Sequence, residues 1–241
     1  MVKINFAIMF YMPSQDRLEI AYELQDYLNS IPEFNCMLFG DDGTLGAAGN
    51  AERAWKELAL QNDEYTHCCV LQDDVELCGD FAYGIKTVTS VKPDEVLTHC
   101  NMTKHAIEAR DAGKHWIRSK SGVYGTAISM PVYKAQQMIQ WCKSHLKTSW
   151  KEAVHDDSIV ATWMEAESNY CYHPVPSLVQ HIMPALSVAG NNNSNRINKW
   201  IVPPKYKGGS AKDYDWNVGS NNPIISSTRR TDKEYTEKYF R

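Results

Sequence analysis

Apolar positions along this chain follow two rhythms. Short continuous runs alternate with stretches in which apolar residues return every three or four positions. The run Ile4-Asn5-Phe6-Ala7-Ile8-Met9-Phe10 reads as a central strand over Lys3 to Tyr11. Met12-Pro13-Ser14 breaks it. Ser14 is placed to cap a helix with Leu18, Ala21, Leu24 and Leu28 on one side, and Pro32 closes that region. A second strand is expected over Phe34 to Phe39, closed by Gly40-Asp41-Asp42-Gly43. Strand, helix, strand is how an α/β nucleotide-binding unit begins. The Gly-rich fingerprints of dinucleotide and P-loop sites are missing. That argues against an ordinary dehydrogenase or P-loop ATPase.

Gly43 to Asn50 reads as a Gly/Ala-rich loop leading into a helix with Ala51, Ala54, Trp55 and Leu58 inside. Arg53 is expected in its first turn, where the helix dipole disfavours a cation. It reaches an anion such as a diphosphate, or stands exposed without a partner.

The stretch from His67 to Val75 carries the sharpest change. His67-Cys68-Cys69-Val70-Leu71 is apolar, then Gln72-Asp73-Asp74 follows. A buried strand that ends in acids presents them at its C-terminal edge, where open α/β sheets bind ligands. Two adjacent carboxylates repel unless something compensates, and a hard divalent cation is one such compensation. The plain alternative is that the acids end the strand and start a solvated turn.

Gly79-Asp80-Phe81 begins a further segment, and Val96 to Cys100 is a weaker strand. Asn101 to Lys120 shows no usable pattern, and its His105 and His115 read as surface residues. Gly122 to Met130 is a strand with small residues. Pro131 fits the first turn of a helix with Ala135, Met138, Ile139, Cys142 and Leu146 inside. His155-Asp156-Asp157-Ser158 opens another helix. One Asp suffices for a cap, leaving the other free to face a pocket as a base. Tyr170 to His173 reads as the last strand, before Pro174-Val175-Pro176-Ser177-Leu178-Val179-Gln180-His181. His181 is a metal ligand or a structural histidine.

Composition sharpens this picture in three ways. The 241 residues suit one sizeable α/β domain with a tail, and no apolar run approaches the roughly 18 residues of a membrane span. The opening residues read as a strand, not a signal peptide, and the seven Cys form no CxxC pair. They read as reduced core thiols of a cytoplasmic protein. The net charge of −4 is uneven: residues 196–241 hold 10 Lys and Arg against 5 Asp and Glu, leaving 15 against 24 elsewhere. Aromatics interleave with those cations at Lys199-Trp200, Lys205-Tyr206-Lys207 and Lys238-Tyr239. Such a tail tracks nucleic acid, stacks on sugars, or packs onto the body.

The order of these parts resembles a GT-A fold glycosyltransferase, with small bacterial, viral and lipopolysaccharide-type members as the nearest likeness. The resemblance covers about residues 3 to 188. It rests most on Val70-Leu71-Gln72-Asp73-Asp74-Val75, similar to the family's acidic DXD motif, and on Pro176-Ser177-Leu178-Val179-Gln180-His181. It implies an α/β GT-A domain over 1–188, with a Rossmann-like mixed sheet, and an extension over 189–241 that could bind the acceptor. It further implies Mn²⁺ or Mg²⁺ on Asp74 and His181, with Asp73 supporting the metal or the donor ribose. Asp41 or Asp42, with backbone near Tyr11, Met12 and Pro13, would meet the nucleoside. Arg53 would contact the diphosphate, and Asp157, with Asp156 competing, would be the acceptor-side base. The motif reads Gln-Asp-Asp where the strict pattern is Asp-x-Asp, which leaves the role of Asp73 open.

The expected activity is therefore metal-dependent transfer of a hexose or pentose from a nucleoside-diphosphate sugar, such as a UDP-sugar, to a hydroxyl. The basic tail makes hydroxymethylated bacteriophage DNA one acceptor; a surface glycan or lipopolysaccharide is the rival. In a different class, Asp73, Asp74, Asp156 and Asp157 would form a two-metal nuclease or nucleotidyltransferase site. A silent sugar-nucleotide binding protein is the third reading.

Overall fold

In a computed structural model, the described residues are 1–60, 64–101, 104–120, 122–153, 155–181, 210–226 and 233–241. Strand β1 (Ile4–Tyr11) is apolar at nearly every position because both of its faces are covered. Ile4, Phe6, Ile8 and Phe10 enter one core, while Ala7 and Met9 enter the other. On the first face lie α1 (Gln15–Asn29) and α3 (Phe81–Val91), through Leu28, Phe81 and Ile85. On the second lie α2 (Gly46–Leu60), α5 (Val132–His145) and α6 (Asp156–Ala166), through Trp55, Met138 and Trp163. Each such side chain contributes about 1.5–3 kcal/mol by leaving water. Trp55 is fully buried, so Trp55→Ala would cost about 3–5 kcal/mol.

The other strands of the main sheet are β2 (Phe34–Asp41), β3 (His67–Gln72), β5 (Val96–Thr98), β6 (Trp116–Ser119), β7 (Ala127–Pro131), β8 (Cys171–Pro174) and β10 (Ile224–Ser226). Their order is β10-β6-β8-β5-β7-β3-β1-β2. β1 runs parallel to β2 and β3, β7 runs antiparallel to β3 and β5, and β8 runs parallel to β5. The fold class is thus α/β, a mixed central sheet flanked by helices. A small second sheet pairs β4 (Val75–Leu77) antiparallel with β9 (Val179–His181). Among the described residues no helix is long and apolar enough to cross a membrane. All seven cysteines are free thiols, and six are buried.

Several expectations are corrected. Gly46 to Asn50 is helical, because the Asp41 carboxylate accepts from the Leu45 and Gly46 amides (3.0 and 2.9 Å) and caps α2 from the end of β2. Arg53 consequently stands beyond the first turn. Ser14 occupies the N-cap of α1 in extended backbone, but its side chain makes no capping bond; its carbonyl accepts from Leu18 N (3.1 Å). Pro131 ends β7 and is the N-cap of α5. Within Asn101 to Lys120 lie the short helix α4 (Lys104–Asp111) and β6. Of its two histidines, His105 is buried and His115 is half-buried. His105 lies beside Glu108 (2.8 Å), and His115 contacts the Val175 carbonyl (2.9 Å) and the rings of Tyr214 and Trp216. Tyr170 to His173 is not the last strand, since β9 and β10 follow β8.

The described part of the tail packs onto the body. Trp216 is buried, and its carbonyl accepts from Trp116 Nε1 (2.6 Å). β10 extends the main sheet beside β6, and Tyr239 and Phe240, at the end of α7 (Lys233–Tyr239), enter the core. Lys199, Trp200, Lys205 to Lys207, Arg229 and Arg230 lie outside the described residues.

Candidate functional site

β1, β2 and β3 run parallel, so their C-terminal ends share one edge, and a cavity of about 460 Å³ opens there. Tyr11 closes β1, Asp41 closes β2, and Gln72, Asp73 and Asp74 close β3; all five line it. Gly43, Gly46, Ala47 and Asn50 form the opposite wall. The turn at its base needs glycine, since Gly43 (φ 99°) and Gly46 (φ 67°) sit where side chains are strained. His181 reaches the same wall because β9 pairs with β4 and sets His181 opposite Val75, next to Asp74.

The acid pair is held by a residue that sequence reasoning missed. Arg17 spreads its guanidinium over both carboxylates: Nη1 donates to Asp73 Oδ1, and Nη2 to Asp74 Oδ2 (3.3 Å). The Tyr11 amide also donates to Asp73 (3.3 Å), and His181 Nε2 stands 3.1 Å from Asp74 Oδ2. Burial drives the Asp73 carboxyl upward, and the repulsion of Asp74 adds to this; Arg17 pulls it back only in part. Burial also pushes Asp74 up, but His181 and Arg17 together outweigh it and leave the carboxyl below its ordinary value. The one sequence signal for Arg17 was a cation in the first turn of a helix, where the dipole disfavours it.

Asp41 lines the cavity, but its carboxylate holds the loop amides described above. Asp42 is exposed and accepts from Thr44 N (3.0 Å). Met12 N donates to the Asp41 carbonyl (2.9 Å), tying the turn at Met12 and Pro13 to β2. Arg53 does not line the cavity. It donates to the Gly40 carbonyl (2.6 Å) and Asn50 Oδ1 (2.7 Å), with its guanidinium 5.5 Å from the centre of the Phe39 ring. Asp156 and Asp157 both lie in the first turn of α6, and His155 is the N-cap. Asp156 comes near the cavity: a Cβ built on Gly125 would stand 3.3 Å from both Asp156 Oδ1 and the amide of Gln72.

The residues fit a divalent cation of a particular kind. Asp74 is buried, yet its Oδ1 has no hydrogen-bond partner among the described residues. With His181 it offers two donors on one side of a cavity. Mg²⁺ and Mn²⁺ sites of one or two protein ligands are completed by substrate phosphates. Among the described residues no three His, Cys, Asp or Glu gather into a metal cage. The structure therefore does not bring Asp73, Asp74, Asp156 and Asp157 into the shared cluster that a two-metal nuclease requires.

No family model and no curated relative matches this chain. It is similar to a solved structure described as "crystal structure of a glycosyltransferase involved in the glycosylation of the major capsid of PBCV-1". The two are 11% identical, the match covers 70% of this chain and 92% of that chain, and the TM-score is 0.33. A likeness at that score carries no argument about this chain.

Proposed function

We propose that this chain is a GT-A glycosyltransferase that moves a sugar from a nucleoside-diphosphate sugar, a UDP-sugar in the first instance, to an acceptor hydroxyl. The observation that carries the reading is the wall where Asp73 and Asp74, ending β3, meet Arg17 and His181 across from the start of α2. Asp74 and His181 would hold Mn²⁺ or Mg²⁺, which supplies charge stabilisation for the departing diphosphate. Tyr11, Met12 and Pro13 form the nucleoside side together with the Gly43 to Gly46 turn, which Asp41 holds in shape. Asp73 fixes Arg17 and the Tyr11 amide, so it orders the floor on which the ribose rests. Asp156 is the acceptor-side base in this reading, ahead of Asp157, because its carboxylate neighbours Gln72 on the cavity wall.

The acceptor we propose is a hydroxymethylated pyrimidine in DNA, on the excess of cations over residues 196–241. A glycan is the rival. The test is nucleotide release from UDP-, GDP- and dTDP-sugars, with Mn²⁺ and with EDTA, using wild type and Asp74→Ala. Metal-dependent release of one nucleotide, lost in the variant, supports the transferase. The matching donor is then offered with hydroxymethylated DNA and with glycans. Absence of release from every donor, together with metal-dependent cutting of DNA, overturns the reading in favour of a nuclease.

A further inference from the structure

We propose that Arg17 is a built-in competitor for the divalent cation, so that metal takes Asp74 firmly only when a nucleoside diphosphate arrives to receive the guanidinium. This rests on the transferase reading. Arg17 lines the cavity, its side chain is only 13% exposed, and it forks across both acids. Asp74 Oδ2 therefore faces two donors, Arg17 Nη2 at 3.3 Å and His181 Nε2 at 3.1 Å. Its Oδ1 is buried and has none among the described residues.

A cation approaching Asp74 meets a guanidinium already on that carboxylate. Like charges at such range repel strongly where water is scarce. The helix does nothing to hold Arg17 in place, because a cation in the first turn of α1 opposes the dipole. The two carboxylates hold it on the cavity side. Phosphate oxygens offer the same planar fork a bidentate partner of equal quality. A diphosphate in the cavity thus gives Arg17 a second seat and supplies the cation with its missing oxygens. Metal and nucleotide are then coupled, and by reciprocity each tightens the other by the same factor. A metal site left open would draw free cations without substrate; Arg17 closes it until the donor is present.

The experiment is Mn²⁺ titration followed by the free-ion electron paramagnetic resonance signal. It uses wild type, Arg17→Ala and Arg17→Lys, without and with UDP, GDP or dTDP, corrected for the Mn²⁺–nucleotide complex in solution. Wild type is expected to bind Mn²⁺ weakly alone and roughly tenfold or more tightly with its nucleotide. Arg17→Ala is expected to bind Mn²⁺ alone about tenfold more tightly than wild type and to gain little from the nucleotide. Arg17→Lys, which keeps the charge and loses the fork, is expected between the two. It carries the same comparison if the alanine variant fails to fold.

Coupling in wild type that both substitutions leave intact, with Mn²⁺ affinity alone unchanged or weaker, overturns the inference and leaves the transferase standing. Absence of Mn²⁺ binding to wild type with every nucleotide overturns both.

Discussion

At the end of β3, two carboxylates, a guanidinium and an imidazole share the wall of an open cavity. In the other half of the sheet, across β5 to β8, two buried histidines each meet a neutral hydroxyl. His99 Nε2 meets Ser129 Oγ at 2.7 Å, and His173 Nε2 meets Ser119 Oγ at 3.1 Å. Both rings are sealed from solvent, and burial holds both down to about 3. They are therefore uncharged at any ordinary pH. At the acid pair a counter-charge and an opening coexist and charge is kept; around these two rings neither is present, and neutral hydrogen bonds serve. The first half can answer an arriving ligand. The second fixes the frame that positions it.

The largest effect should separate the halves outright. Asp74→Asn is expected to lower nucleotide release by about 10²–10³ fold, the scale of a lost electrostatic contact to the reacting charge. His173→Asn is expected to leave release intact per folded molecule and to lower the denaturation midpoint instead. Kinetics and urea unfolding on the two variants check this, and equal loss of both properties in both proteins would erase the distinction. Next in size is the acceptor step. Asp156→Asn is expected to slow transfer by about 10²–10⁴ fold while donor hydrolysis persists. Asp157→Asn, beside Ser158 in the same turn, is expected to act mainly on stability. The reverse ranking in a transfer assay would exchange their roles.

The sealed half also predicts a pH dependence. A histidine whose folded value lies far below its ordinary one leaves protons to the unfolded chain. Stability is then complete above about pH 6.5 and falls as pH drops from there toward 3. Each of His99 and His173 contributes up to about 1.4 kcal/mol per pH unit in that window. His67, also lowered chiefly by burial, acts with the same sign. Urea unfolding between pH 5.5 and 7, where a free imidazole gains its proton, reads this slope. His173→Asn should flatten the slope by about one proton's worth; an unchanged slope would mean that the ring already titrates in the fold.

Legibility follows the same division. β1 and β3 were readable because each is a run of several residues buried on both sides, β2 because an apolar run closes on Gly40 to Gly43, and α5 because its apolar stripe is long. The acid pair stood out because a run ended in it. The far half was readable only in part: β5, β7 and β8 overlap expected strands, while β6, β10 and α4 were missed for a physical reason. β10 has three residues and β6 has four, too short for any period, and α4 is a polar helix of eight. β10 finds its partner β6 from across the chain, a pairing no local pattern announces. Within the site, His181 was legible by resemblance alone, and the reason it reaches Asp74 is the β4–β9 ladder. Gly46 to Asn50 looked like a loop because Gly46, Gly49 and Asn50 are poor helix formers; the cap came from Asp41, back on β2. Arg17 was passed over because its neighbours in α1 carry the ordinary polarity of an exposed face.

The smallest effect sharpens the contrast between two arginines. Arg53 was the sequence's choice for the diphosphate, while the fold sets it against the Gly40 carbonyl, Asn50 and the Phe39 ring. It ties the end of β2 to α2 and so steadies the loop on the cavity's far wall. Arg53→Ala should therefore lower unfolding free energy by about 1 kcal/mol and shift the donor KM by less than about threefold. Arg17→Ala should raise that KM by about tenfold. Donor titrations of both variants at saturating Mn²⁺ decide the matter. A tenfold rise for Arg53→Ala with unchanged stability would mean that its guanidinium leaves Gly40 for the phosphates when the donor binds. The cavity would then have two cationic walls.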